Sequence, residues 1–256
     1  SIENIDIIVE PYDLESLQLA VQSGYVQGYK IPSANLGDSD LLKAALNTRK
    51  PLYLGVGGAE WGEIEQVISL LKGVDYTLIC GFQSFPTKLR DSNLFQIPQI
   101  KDFFGCSVGY ADHVDAENHE MARIVPALAV SMGAKVIEKH ITDDRSRKGK
   151  DHYSALNPEE FKSFVTLIGN LPNIIGEETE WSLSEAEMNY RKFAKRQAVA
   201  GREIAAGTKL GLIDIAFKRT NEEGLSHQCI TKYFGRKFAR SKKNDDPLTP
   251  EDFVES

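Results

Sequence analysis

Two runs, Val108-Gly109-Tyr110-Ala111-Asp112-His113 and Val136-Ile137-Glu138-Lys139-His140, decide how this chain of 256 residues is read. Each is short, apolar and rich in strand formers up to a terminal histidine. Between them, Glu117 to Met132 has the helical period, with Pro126 inside it. Strand, helix, strand is the unit of a parallel sheet, because parallel neighbours need a long crossover between them. Pro126 is expected to kink or restart its helix, since proline lacks the backbone donor and crowds the preceding turn.

The same unit recurs on both sides. Strands are expected at Ile5 to Glu10, Gln27 to Ile31, Leu52 to Gly55, Tyr76 to Cys80, Cys106 to Tyr110 and Lys135 to His140. They are apolar enough to be covered on both faces. Helices are expected at Leu14 to Gln22, Asp40 to Asn47, Trp61 to Leu71, Leu94 to Phe103, Glu117 to Met132 and Pro158 to Gly169. Asp13, Asp38-Ser39 and Asn157-Pro158 are start signals, the last a capping side chain before proline at the first helical position. The order implies an α/β fold of repeated β/α units around a parallel sheet, six of them in this chain.

After Asn170 the pattern changes. Pro172 to Ser184 reads as a polar connection, followed by a charged helix to about Arg191. From Gln197 short strands and turns are punctuated by Gly201, Gly207, Gly211, Gly224 and Gly235, the mark of a small β-rich domain. The expected organisation is a β/α domain over 1–172, a linker over 173–195 and a small domain over 196–256. The basic stretch from Arg236 to Lys243 is a solvated loop or a contact for an anionic partner.

Composition narrows the function. With 41% hydrophobic and 26% charged residues the chain can bury a sizeable core. Thirty Lys and Arg against 37 Asp and Glu give a net charge of −7, which offers no global attraction to nucleic acid or to an anionic membrane. Cys80, Cys106 and Cys229 are an odd set with no metal-knuckle spacing, which fits a reducing compartment. No apolar run approaches the roughly 18 residues of a membrane span, and Ser1-Ile2-Glu3-Asn4 lacks the pattern of a signal peptide. The expectation is a cytoplasmic protein that binds neither nucleic acid nor membrane.

In a parallel barrel the reactive side chains stand at the C-terminal ends of strands. His113 and His140 emerge at matching ends of neighbouring strands, and Glu138 shares a face with His140. Two imidazoles beside a carboxylate suit a divalent transition metal with positions open to substrate oxygens. A satisfied structural histidine at each position is the plainer alternative. His152 is a third polar contributor or a solvent-exposed ring. The charged loop Thr142 to His152 suits a polyhydroxylated or phosphorylated substrate, or is an ordinary surface loop. Lys30, at the end of Tyr29-Lys30-Ile31-Pro32-Ser33, could hold a phosphate or carboxylate, or be a rim lysine.

Taken together, Gly109-Tyr110-Ala111-Asp112-His113, Val136-Ile137-Glu138-Lys139-His140-Ile141-Thr142, Asp144-Arg145-Ser146 and Gly149-Lys150-Asp151-His152 resemble the sialic acid synthase (N-acetylneuraminate synthase) family. The likeness extends through Tyr29 to Ser33, Gly81-Phe82-Gln83-Ser84-Phe85-Pro86-Thr87 and Asp91 to Leu94. Ala198 to Thr208 resembles the opening of the family's antifreeze-like (SAF) domain. The resemblance implies an α/β fold of the TIM type, a (β/α)8 barrel of which about six β/α units are present as an incomplete barrel over 1–172, joined to a small β-rich SAF domain over 196–256, and a domain-exchanged homodimer. It also implies condensation of phosphoenolpyruvate with N-acetylmannosamine or a related amino sugar to a nonulosonic acid.

By position, His113 and His140 would bind the metal, Mn²⁺ first with Mg²⁺ or Zn²⁺ as alternatives, and Glu138 would help with protons. Lys30 and Ser33 would hold phosphoenolpyruvate; Gln83, Phe85 and Asp151 would face the sugar. The chain departs from the family pattern at Glu10, Gly55 and Ala111, where hydroxyl side chains are usual. Gln83 stands where a shorter polar residue is more usual. The family's first two β/α units have no counterpart before Glu10, which leaves three readings: a fragment, strands supplied by a partner, or a reduced homologue. A catalytically impaired homologue that binds a sugar or a partner is the competing function, and an aldolase-type barrel acting on another phosphorylated keto acid a third.

Overall fold

The structure is a computed structural model describing residues 5–71, 73–176 and 181–254. The chain divides into two compact units, 1–177 and 178–256. In the first, β1 (Ile7–Val9), β2 (Val26–Ile31), β3 (Leu52–Gly55), β4 (Tyr76–Cys80), β5 (Ser107–Asp112) and β6 (Val136–Lys139) lie parallel and side by side in chain order. Crossovers are made by α1 (Leu14–Ser23), α2 (Ser39–Asn47), α3 (Trp61–Leu70), α4 (Gln96–Phe104) and α5 (Met121–Ser131), and α6 (Pro158–Ile175) comes after β6. This is the strand order of a β/α barrel, realised here as a six-stranded arc.

The helices begin where local chemistry satisfies their free amides. The Asp13 carboxylate accepts the Ser16 amide at 2.7 Å, and Asp38 accepts from Asp40 and Leu41. At α6 the Glu160 carboxylate accepts the Asn157 amide, while the Asn157 side-chain oxygen accepts from the Arg145 amide and so ties the preceding loop. Leu41, Leu42 and Ala45 of α2 and Ile97 of α4 pack on Ile31, Leu52, Leu54 and Leu78 of the sheet, all fully buried.

Several boundaries differ from the sequence expectation. α5 starts at Met121 rather than Glu117, because Asp115 and Asn118 hold the intervening residues in turns through the Glu117 and Met121 amides. Pro126 sits inside α5 without ending it; its buried ring packs against the core. α6 runs through Pro172 to Ile175, into the segment read as a polar connection. Buried Leu171 anchors that last turn, and the Gly176 amide closes it on the Pro172 carbonyl. Not every strand is covered on both faces: on β1, Ile7 and Ile8 are 48% and 47% exposed. No helix among the described residues is long and apolar enough to cross a membrane.

Behind β3, β4 and β5 the backbones close up. A Cβ at Gly57 would lie 2.0 Å from the Gly81 carbonyl oxygen, and one at Gly81 would lie 2.3 Å from that of Ala111. Gly81 also has φ of 141°, which L side chains rarely adopt. Gly55 has a different reason: a Cβ there would meet the Ser33 amide and hydroxyl, each at 2.9 Å. Its missing side chain is the space that Ser33 fills.

The second unit holds α7 (Glu185–Ala194), capped by Ser184, and an antiparallel pair of β7 (Gln197–Ala200) and β8 (Ile215–Lys218). It is built twice over. Ile204 and Lys242 exchange both backbone hydrogen bonds, and about that point the rest repeats. The Ala200 amide bonds Asp246 as Phe238 bonds Thr208, and Gly201 bonds Asp214 as Ala239 bonds Asp252. Gly207 and Asp245 both take left-handed backbone. The Arg202 guanidinium meets Asp214 and that of Arg240 meets Asp252 in the same way. The halves differ at the axis, where buried Ile204 faces Lys242, whose ammonium lies 2.9 Å from Asp252.

The close backbone approach and the buried ammonium each make a stability prediction. Gly81→Ala must move the backbone and is expected to cost at least about 3 kcal/mol in urea unfolding, against under about 0.5 for an exposed surface change. Asp252→Ala strands a buried ammonium and is expected to cost about 3–5 kcal/mol, whereas Arg240→Ala, at an exposed side chain, costs under about 1. Burial pushes the Asp252 carboxyl up, but the Thr249 amide, Lys242 and Arg240 outweigh it and hold the group below its ordinary value. Its contribution is therefore complete above about pH 4 and is lost as pH falls through the lower, folded value. Amide exchange at Ala239 in the intact chain, tracked from pH 6 to 3, reads that loss directly.

Candidate active site

Parallel pairing places Gly109 opposite Val136 and continues without slip to Asp112 opposite Lys139. The next residue on each strand is a histidine, so the two rings leave the sheet level with one another. Their centroids are 5.3 Å apart at an interplanar angle of 47°. The Phe85 ring stands edge-on to both, 4.5 Å from His113 and 5.5 Å from His140.

His113 is held hard. Its carbonyl accepts the Thr87 amide at 2.8 Å and the hydroxyl of fully buried Ser154 at 2.7 Å. Thr87 in turn donates its hydroxyl to the carbonyls of Phe82 and Ser84, folding the 82–87 loop over the ring. His113 Nδ1 lies 3.1 Å from the Phe82 carbonyl oxygen. A carbonyl only accepts, so Nδ1 carries the hydrogen and Nε2 keeps its lone pair. Burial, with the neighbouring His140 adding to it, pulls the His113 pKa down to about 4. The ring is neutral at neutral pH.

Glu138 leaves β6 on the same face as His140, but its carboxylate is engaged. Both of its oxygens lie 2.8 Å from the Lys30 ammonium, and Glu10 Oε2 lies 2.7 Å from the same nitrogen. Burial pulls the Lys30 pKa down, but the two glutamates outweigh it and leave it raised. The cluster of two carboxylates and one ammonium carries one net negative charge. Tyr12 extends it: the charge of Glu10 first, then burial and a hydrogen bond to Glu10, raise the phenol pKa, with Asp151 contributing.

The other residues singled out from the sequence fall in distinct places. Ser33 and Gln83 line one cavity of about 620 Å³ with Gly57, Gly58, Glu63 and Gln66; the imidazoles are not on its wall. Asp151, in left-handed backbone, lies near enough to act on Tyr12. His152 bonds the Gly149 carbonyl through Nδ1 at 2.8 Å and packs against Tyr153, turned to its own loop. Both arginines of that loop are paired with carboxylates. Arg145 makes a two-pronged contact with Glu160 at 2.6 and 2.9 Å, and Arg147 meets Asp143.

Strand-end logic is enough to find Glu10 as a site residue, since it stands just past β1 as His113 stands just past β5. The family pattern marks that position only as a lost hydroxyl. Ser154 carries no signal in the sequence, because its hydroxyl meets a carbonyl 41 residues away.

The donor set fits a divalent cation in part. His113 offers a neutral nitrogen with its lone pair free, and a second imidazole lies beside it. Among the described residues no three of His, Cys, Asp and Glu converge as a complete ligand set. A cation there would hold two protein nitrogens and take its remaining ligands from solvent or substrate.

An arc of parallel β/α units with paired imidazoles at its C-terminal edge, followed in the chain by a small self-repeating β unit, has the layout of a β/α-barrel protein with an appended domain. The chain belongs to the NeuB family, which it matches over residues 2–180, and it carries a SAF domain over residues 195–254. It is similar to the N,N'-diacetyllegionaminic acid synthase of Campylobacter jejuni, with 29% identity over 95% of this chain and 72% of the relative. Among solved structures it is similar to a spore coat polysaccharide biosynthesis protein E of Chromobacterium violaceum. That likeness has a TM-score of 0.80 and 26% identity, covering 98% of this chain and 74% of the other. It is also similar to the N-acetylneuraminic acid synthetase of Leptospira borgpetersenii, with a TM-score of 0.66 and 30% identity over 75% and 66% of the two chains.

Removing the central ammonium leaves two carboxylates facing each other. Lys30→Met is expected to lower stability by about 1–3 kcal/mol in urea unfolding, below the buried-pair figure because all three groups keep some solvent. The further change Glu10→Gln in that background is expected to restore most of the loss.

Proposed function

We propose that the protein is a nonulosonic acid synthase, joining phosphoenolpyruvate to the aldehyde of an open-chain N-acetylated amino sugar with release of phosphate. Membership of the NeuB family and similarity to a legionaminic acid synthase support the reaction class. The observation that carries the reading onto this chain is the level pair of imidazoles, one fixed in its tautomer, beside the Lys30–Glu138 contact. A bound divalent cation, Mn²⁺ first, would supply Lewis acidity toward the sugar aldehyde. His113 and His140 would hold it.

The chain's own groups do the rest. Phe85 walls off the rings and lowers the local dielectric, which strengthens every charge interaction there. Glu138, hydrogen-bonded to Lys30, is placed to take or return a proton at its carboxylate. Ser33 and Gln83 present a hydroxyl and an amide to the neighbouring cavity, suited to phosphate oxygens and sugar hydroxyls. Lys30 serves an anionic substrate only after Glu10 turns away, and Glu10, partly in solvent, has water to turn into.

Phosphate release in the presence of Mn²⁺, phosphoenolpyruvate and an amino sugar tests the reading. Release that needs all three and is lost in His113→Ala and in His140→Ala is expected; none with N-acetylmannosamine or any related amino sugar contradicts it. Glu10→Thr removes the carboxylate that competes for Lys30. It is expected to tighten phosphoenolpyruvate binding by roughly two- to fivefold in calorimetric titration, the worth of one partly exposed ion pair.

A further inference from the structure

On the face turned away from the imidazoles, the same two strands carry a second pair. Asp112 and Lys139 are directly opposite in the ladder, one residue before His113 and His140. The Lys139 ammonium donates to Asp112 Oδ2, and the two side chains are 1% and 0% exposed. Asp112 Oδ1 is buried with no hydrogen-bond partner among the described residues. Two neighbouring apolar side chains would fill such a position without desolvating charge, and pairs of this kind are commonly replaceable by apolar residues at no loss of stability. An unsatisfied carboxylate oxygen makes the arrangement more costly still. Stability alone is therefore a weak reason for the pair.

Register is what such a pair can set. In a ladder with a side-chain period of two, a slip of one residue turns every side chain to the opposite face. Here a slip by β6 would bring Glu138 or His140 opposite Asp112 and send one imidazole away from its partner. The flanking rungs add packing but no charge: a Cβ at Gly109 would lie 3.0 Å from that of Val136, and buried Tyr110 faces Ile137, so shape favours this alignment without the sign-specific pairing that Asp112 and Lys139 supply. Only one alignment places the single ammonium against the single carboxylate.

We infer that Asp112 and Lys139 are positioning residues, a buried charge pair that locks the β5–β6 register and thereby holds His113 and His140 level. The inference rests on the proposed role of the two imidazoles for its consequence, but its geometry is independent of that role.

The test compares three forms of the intact chain: wild type, the apolar pair Asp112→Leu with Lys139→Leu, and the exchanged pair Asp112→Lys with Lys139→Asp. Ring ¹⁵N and ¹H shifts of His113 and His140 in metal-free protein read their placement; cobalt(II) uptake, with its visible band, reads the consequence. In the apolar pair the ring shifts are expected to change and cobalt affinity to fall about 10- to 100-fold, while thermal stability is held or raised. In the exchanged pair the wild-type ring shifts and band are expected to return.

Wild-type ring shifts in the folded apolar pair overturn the inference. If that variant does not fold, the exchanged pair decides alone: wild-type shifts support the lock, and displaced shifts in a folded protein overturn it. Cobalt uptake that persists in His113→Ala sinks the metal reading instead, and the ring shifts of metal-free protein then decide the lock by themselves.

Discussion

Level pairing between two parallel strands is the constraint on which the site depends. β5 and β6 run from Gly109–Val136 to Asp112–Lys139 without a bulge, so the next residue on one strand stands beside its counterpart on the other. Each of those next residues is a histidine. The 82–87 loop, through Thr87, and Ser154 then fix the His113 backbone, and the Phe82 carbonyl fixes its tautomer. A backbone property, register, is thus converted into the distance between two side-chain nitrogen donors. Small residues at Gly57, Gly81 and Ala111 allow the loops to approach closely enough for this to happen.

Charge around that pair is organised by a single ammonium. Lys30 on β2 reaches across to Glu138 on β6 and sideways to Glu10 beyond β1, joining the ends of the arc. The cluster sets the Glu138 carboxylate against one ammonium that Glu10 also contacts. The resemblance read from the sequence leads to the expectation of a hydroxyl where Glu10 stands, and a carboxylate there adds a second acceptor for Lys30. The lost hydroxyl at Gly55 is different in kind, because Ser33 takes up the vacated volume. One departure changes the electrostatics and the other only changes which residue supplies the oxygen.

The parallel order, the number of strands and the strand-end histidines were legible in the sequence because all depend on local period and on a rule about where parallel strands end. Helix limits were less so. Pro126 reads as a kink or restart within its helix and Pro172 as the start of a polar connection, yet each sits in a helix whose buried neighbours outweigh one lost hydrogen bond. The start of α5 is set by Asp115 and Asn118 side chains, which compete with the helix from outside the periodic segment. Long-range contacts such as Ser154 with His113, or Glu10 with Lys30, have no signal in spacing. The repeat of the second unit is hard to see in the sequence because few of its paired positions share a residue, among them the Arg202–Asp214 and Arg240–Asp252 pairs, while the backbone pattern carries the rest.

The central proposal is that His113 and His140 would together hold one divalent cation. An anomalous difference map from crystals grown with Mn²⁺, collected above and below the manganese edge, tests it most directly. The account predicts a single strong peak contacted by the imidazoles of both His113 and His140. A peak bound elsewhere in the chain, with the two rings contacting only protein and water, would contradict it.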